Sequence, residues 1–138
     1  MLVGESYPLV HPRAINNRWP EIAPLLERVA DPKVTLDDIY TFCMDGTWVL
    51  WVRQDPETSQ VTDVAVTEFI EYPQVHNLRV IFLSGNDQDW SSGIDIFEKY
   101  AGINQCHAIE VHGRKGWERV LKNRGFGLDH ITLSKRIL

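Results

Sequence analysis

Three strand-like runs, "GTWVLWVRQ", "VTDVAVTEFIEYP" and "NLRVIFLSG", follow one another through residues 46–85. Only "DPETSQ" and a short turn around Pro73 separate them. This spacing is the strongest constraint in the chain. A parallel pair needs a crossover of about a dozen residues or more, so strands joined this closely must pair antiparallel, as a meander. The first run is almost continuously apolar and β-branched, which predicts a strand covered on both faces. The second alternates more clearly and Pro73 closes it; the third ends at Gly85.

Two helices are predicted ahead of the meander. Ile22, Leu25, Leu26 and Val29 recur at helical spacing. Asn16 or Asn17 is the predicted cap, Pro20 suits the first turn, and Pro24 is expected to kink the helix or delay its start. After the break "DPKV", Thr35 is a good N-cap for "LDDIYTFC", which carries acidic residues in its first turn where the helix dipole favours them.

Beyond Gly85 the pattern changes. "DWSSGIDIFEKYAG" reads as a helix with Gly102 as C-cap, "CHAIEVHG" as a strand, "KGWERVLKNRG" as a helix and "DHITLSKRIL" as a final strand. The predicted order is α-α-β-β-β-α-β-α-β: an α/β chain of the α+β kind, with a mixed, mainly antiparallel sheet and helices on both faces. No repeat, linker or low-complexity tract divides it, so residues 1–138 read as a single domain.

The bulk numbers are those of an ordinary globular protein, with 43% hydrophobic residues and a net charge of -5. No apolar run is long enough for a membrane helix and the N-terminus has no signal-peptide pattern, so a cytoplasmic location is expected. Cys43 and Cys106 are read as free, buried thiols. The charge is uneven: Arg114, Lys115, Arg119, Lys122, Arg124, Lys135 and Arg136 stand against only Glu118 and Asp129 in residues 113–138. Such a patch suits phosphates, an acidic partner surface or the protein's own acidic half. No nucleic-acid-binding motif accompanies it, so a nucleic acid is not the expected partner.

Together, the element order and the segment "IEVHGRKGWERVLKNRGF" resemble the GCN5-related N-acetyltransferase (GNAT) superfamily. The Gly-Arg-x-Gly-Trp helix start also resembles the small GNAT-like proteins of tailed bacteriophages, some of them virion components. The first resemblance implies a GNAT fold, an acetyl-CoA site and acetyl transfer to an amine. The second implies a virion or host-interaction protein in the host cytoplasm, with a protein as partner.

The residues meet these implications unevenly. Gly125 suits a left-handed C-cap, with Phe126 folding back on the helix. Four residues before that glycine the family usually carries a tyrosine that protonates the coenzyme thiolate; here Leu121 stands there and reads as core. The family's pyrophosphate turn is replaced by "SGNDQDWSSGID", in which Asp87 and Asp89 put negative charge where phosphates would sit. Ser91, Ser92 and Gly93 still offer donors at a helix start, although Asp89 or Ser91 as a plain N-cap explains them as well. Arg114 and Lys115 are the candidate phosphate-binding cations. Glu68 and Glu71 are the candidate bases, and alternation places Glu68 opposite Phe69, where a solvated glutamate is the default.

Cys106, His107 and His112 resemble a metal cluster, but alternation turns His107 away from the other two and no fourth ligand is in view, so no metal is expected. Trp48, Trp51 and Trp117 are read as core, the first two on opposite sheet faces; Trp19 and Trp90 are freer to be contact residues.

Overall fold

The computed structural model describes residues 9–85, 91–113 and 116–138, without the side chains of Ser91 and Ser92. The elements are β1 (Leu9–Val10), a 3-10 turn (Pro12–Ala14), α1 (Ile15–Glu27), α2 (Leu36–Met44), β2 (Val49–Gln54), β3 (Val61–Glu71), β4 (His76–Gly85), α3 (Ser91–Ile103), β5 (Ala108–Val111) and α4 (Gly116–Lys122). Five strands form one sheet in the order β1-β2-β3-β4-β5. The predicted meander is present, with β2, β3 and β4 antiparallel, and β5 adds in parallel to β4 after the α3 crossover.

Each face of the sheet carries a pair of helices. On one side Ile15, Ile22, Leu25 and Leu26 of α1 and Ile39 and Cys43 of α2 pack on Leu50, Val52, Val64 and Val66. On the other, Ile94, Phe97 and Ala101 of α3 and Leu121 of α4 pack on Trp51, Ala65, Leu78 and Val80. The first meander strand is covered on both sides as its apolar run requires: Leu50, Trp51 and Val52 are all buried. Trp48 and Trp51 join opposite cores, and Trp117 joins the α3–α4 core. Trp51 also donates to Thr67 Oγ1 (2.9 Å), which satisfies its buried indole N–H.

Local structure departs from the sequence reading in several places. The helix α1 starts at Ile15, after a 3-10 turn capped by His11, so neither Asn16 nor Asn17 is its cap. Asn16 instead accepts a hydrogen bond from Tyr40 Oη, which ties α1 to α2. Both prolines lie inside the helix. Pro20 and Pro24 are exposed, so the carbonyls they leave without a donor face water. In α3, Gly102 is helical; the left-handed residue is Gln105 (φ 59°), with Cys106 N bonded to Ala101 O (2.8 Å) and Gln105 N to Gly102 O (3.1 Å). The short β1, too brief to show a period, pairs with β2.

The last departure is the C-terminal segment. "DHITLSKRIL" has no regular structure, and Ile131, Leu133 and Ile137 are largely exposed. An alternating sequence supplies one face of a strand but not the neighbouring backbone that a strand must bond to. By contrast, the capping box of α2 is as expected, with Thr35 Oγ1 accepting from Asp38 N (3.2 Å) and Asp38 accepting from Thr35 N (2.9 Å).

Candidate functional site

Two features of β4 shape the region where chemistry is expected. The register against β3 shifts between Val66, opposite Phe82, and Thr67, opposite Val80, which leaves Ile81 as an extra residue on β4. Pairing of β4 with β5 stops at the same level, at Val80 and Val111, followed by one further bond from His112 N to Val80 O (3.0 Å). A bulge bends its strand, so β4 turns away where β5 ends and the sheet opens between their C-terminal ends. This is the end at which α3 begins. Ligands of open α/β sheets bind outside the carboxyl ends of parallel strands.

On the α1–α2 face, just before this opening, a row of charge crosses three strands. Glu68 on β3 is opposite Arg79 on β4, and Arg79 is level with Glu110 on β5. Arg79 reaches Glu68 Oε1 through Nη1 (3.3 Å) and Glu110 Oε1 through Nε and Nη2 (both 3.1 Å). Trp48 Nε1 donates to Glu68 Oε2 (2.6 Å), Asn77 Nδ2 donates to Glu110 Oε2 (2.8 Å), and Tyr72 Oη donates to the same Glu110 oxygen. Desolvation pushes the Glu110 carboxyl up, but the hydrogen bonds from Tyr72, Asn77 and Arg79 outweigh it and hold the group below the usual carboxylate range.

Of the two candidate bases, Glu68 belongs to this row. It is not the solvated glutamate that alternation suggested, since its side chain is only 19% exposed and both oxygens have donors. Glu71 is exposed at the end of β3, beyond the row, and its charge acts on Cys106. Ser91, Ser92 and Gly93 form the first turn of α3, at the sheet opening, and Gly93 is buried. Arg114, Lys115, Trp90, Asp87 and Asp89 lie outside the described residues.

Sequence reasoning missed Arg79, Glu110, Tyr72 and Asn77, which only strand register brings together. It weighed His112 as a metal ligand alone. His112 is half-exposed, with Nε2 4.0 Å from Glu110 Oε1. Desolvation and then the Arg79 charge lower its pKa below the ordinary histidine value, so the imidazole is neutral at physiological pH. Cys106 packs in the α3–α4 core, not beside His112, and His107 is exposed. Among the described residues no group of three His, Cys, Asp or Glu could hold a metal ion. Burial pushes the Cys43 thiol up to about 12 and also raises that of Cys106, so neither is a thiolate nucleophile. Trp19 is partly buried against the α1–α2 core, and its ring meets Tyr40 edge-on at 5.0 Å.

At the end of α4 the expected cap is present. Gly125 is left-handed (φ 85°), Phe126 N bonds Leu121 O (3.3 Å), Gly125 N bonds Lys122 O (3.2 Å), and Phe126 packs with Leu121 in the same core. Leu121 is 4% exposed, packed in the core that holds Trp51, Phe97 and Ala101.

Solved structures share this architecture. One similar structure is glucosamine-6-phosphate N-acetyltransferase from Arabidopsis thaliana, at TM-score 0.70 and 10% identity over 96% of this chain and 99% of that one. The fold is GNAT-like. The ribosomal-protein-alanine N-acetyltransferase of Brucella melitensis biovar Abortus 2308 matches at TM-score 0.68, 11% identity and 95% and 99% coverage. A predicted acetyltransferase with acetyl-CoA from Clostridium acetobutylicum matches at 0.68, 15% identity and 94% coverage of each chain. No protein-family profile matches the sequence, and no curated protein matches it. At these identities the likeness establishes the GNAT-like fold alone. No helix among the described residues is long and apolar enough to cross a membrane.

Proposed function

We propose that this chain uses a GNAT-like fold as a binding scaffold, with a coenzyme site too eroded for efficient acetyl transfer, and that it acts through a protein partner. The observation that carries this reading is Leu121. It occupies the position from which the family resemblance calls for a proton-donating tyrosine, and it is sealed into the core at 4% exposure. Nothing in that side chain can protonate a thiolate. The candidate base Glu68 adds support, because both its oxygens already accept hydrogen bonds. The sequence of the turn before α3 supports it again through Asp87 and Asp89, which repel phosphate. The likeness of the Gly-Arg-x-Gly-Trp segment to small phage proteins is the support for a virion or host-interaction setting. A thiol-release assay with acetyl-CoA and a panel of amines tests the reading. The expected rate is that of buffer alone, and saturable turnover contradicts it.

A second reading, an amine N-acetyltransferase, is favoured by His112. Acetyl-CoA would supply the activated acyl group at the opening between β4 and β5. His112, neutral and half-exposed beside that opening, would take the proton of the attacking amine in place of Glu68 or Glu71. If turnover is found, His112→Gln should lower kcat by about 10²–10⁴-fold. Unchanged turnover in that variant removes this reading of His112.

A further inference from the structure

The basic patch of residues 113–138 takes no part in the chemistry described above, and the fold limits what can neutralise it. Helices α2 and α4 pack on opposite faces of the sheet. In α4, Leu121 is buried while Arg119, Val120, Lys122 and Asn123 are exposed. Arg18, Arg79 and Arg124 each pair with a carboxylate, but neither Arg119 nor Lys122 does so among the described residues. The acidic counterpart is on the far side. Residues 15–45 carry six Asp and Glu against three Lys and Arg. In α2, Ile39 and Cys43 are buried while Asp37, Asp38, Phe42 and, at the cap, Asp45 are exposed. Among the described residues no cation pairs with these carboxylates. Each charged face also exposes one apolar side chain, Phe42 (37%) and Val120 (46%).

Because the sheet lies between the two faces, a molecule cannot neutralise its α4 face with its own α2, whereas a second copy can. We propose that copies of this chain stack head to tail, the α4 face of one on the α2 face of the next. Arg119 and Lys122 meet Asp37, Asp38 and Asp45, and Val120 and Phe42 supply the apolar centre of the contact. The contact joins two different surfaces, and every copy added leaves one of each free. It is therefore heterologous and propagates beyond a dimer. Exposed ion pairs contribute little each, so the association is weak and salt-sensitive. The proposal does not depend on whether acetyl-CoA binds.

Sedimentation velocity on the full chain, from micromolar to millimolar concentration at low and at high salt, tests it. The expected result is an average mass that grows past that of a dimer at low salt and returns towards the monomer at high salt. Arg119→Glu with Lys122→Glu, and separately Asp37→Lys with Asp45→Lys, should each weaken association by about tenfold or more. Glu57→Lys with Glu71→Lys changes the net charge as much as the second pair does, but at the β2–β3 turn and the end of β3, and should leave the assembly intact. Mixing the two face variants should restore an alternating stack, since each supplies the sign that the other lacks. All six positions are exposed, so melting temperatures should shift little. A wild-type chain that stays monomeric throughout at low salt, or an assembly that stops at a dimer, overturns the proposal. So does a mixture that fails to associate, or a Glu57→Lys, Glu71→Lys variant weakened as much as the α2 variant.

Discussion

Glu110 shows how much a single side chain carries here. It accepts from Tyr72, Asn77 and Arg79 while only 11% exposed, so Glu110→Gln leaves Arg79 without its main countercharge at a mostly buried site. The expected loss is about 1–3 kcal/mol in chemical denaturation, with fold and far-UV spectrum intact. The pH dependence follows from two lowered pKa values. His112 titrates below its ordinary 6.5 in the folded state, so the unfolded chain binds more protons and stability declines as pH falls from about that value through the folded pKa. The Glu110 contribution, present above the ordinary 4.5, is lost at lower pH as its own folded pKa is crossed. Comparing denaturation midpoints of wild type and His112→Asn between neutral pH and mild acid isolates the first step, which should flatten in the variant. None of this was legible from residue types. Glu68 and Glu71 looked alike in the sequence, and the charge row that separates them exists only because β3, β4 and β5 pair at the register Glu68–Arg79–Glu110.

Caps, turns and bulges decide where the elements end. Gln105 holds a left-handed conformation at the end of α3, which costs an L-residue roughly 1–2 kcal/mol. Gln105→Gly should therefore raise stability by about 0.5–1 kcal/mol after the extra chain entropy of glycine is counted, measurable as a higher Tm. Gly125 is the opposite case, and Gly125→Ala should cost about 1 kcal/mol in the same experiment. Gly85 has a different role. A Cβ there would fall 1.6 Å from Oδ1 of Asp63, a fully buried carboxylate held by Thr62 (2.9 Å) and near Arg53 (3.8 Å). Gly85→Ala should destabilise by about 1–3 kcal/mol through overpacking. The cap of α2 and the Gly-Phe end of α4 were legible because their signals are local and side-chain based. The start of α1 and the end of α3 were not, because His11 and Gln105 carry no sequence signature strong enough to displace asparagine and glycine as expected caps. The final strand failed for a third reason: its apolar alternation is real, but the partner edge is a property of the sheet.

Across the chain as a unit, the meander, the single parallel addition and the two helical layers followed from run lengths, periodicity and short connections. These are the features that chain geometry fixes most tightly. The opening of the sheet did not, since the bulge at Ile81 leaves no mark in an apolar run. A GNAT-like fold therefore stood within reach of sequence reasoning, whereas its use did not, because a fold hosts many functions and the site decides among them. The proposed reading stands or falls on whether this fold persists here without a working coenzyme site. Calorimetric titration of the purified chain with acetyl-CoA, with desulfo-CoA and ATP as comparison ligands, decides it. No binding heat is expected even at millimolar ligand. Micromolar, CoA-selective binding would contradict the reading, and would mean that the acidic turn before α3 cradles the phosphates after all.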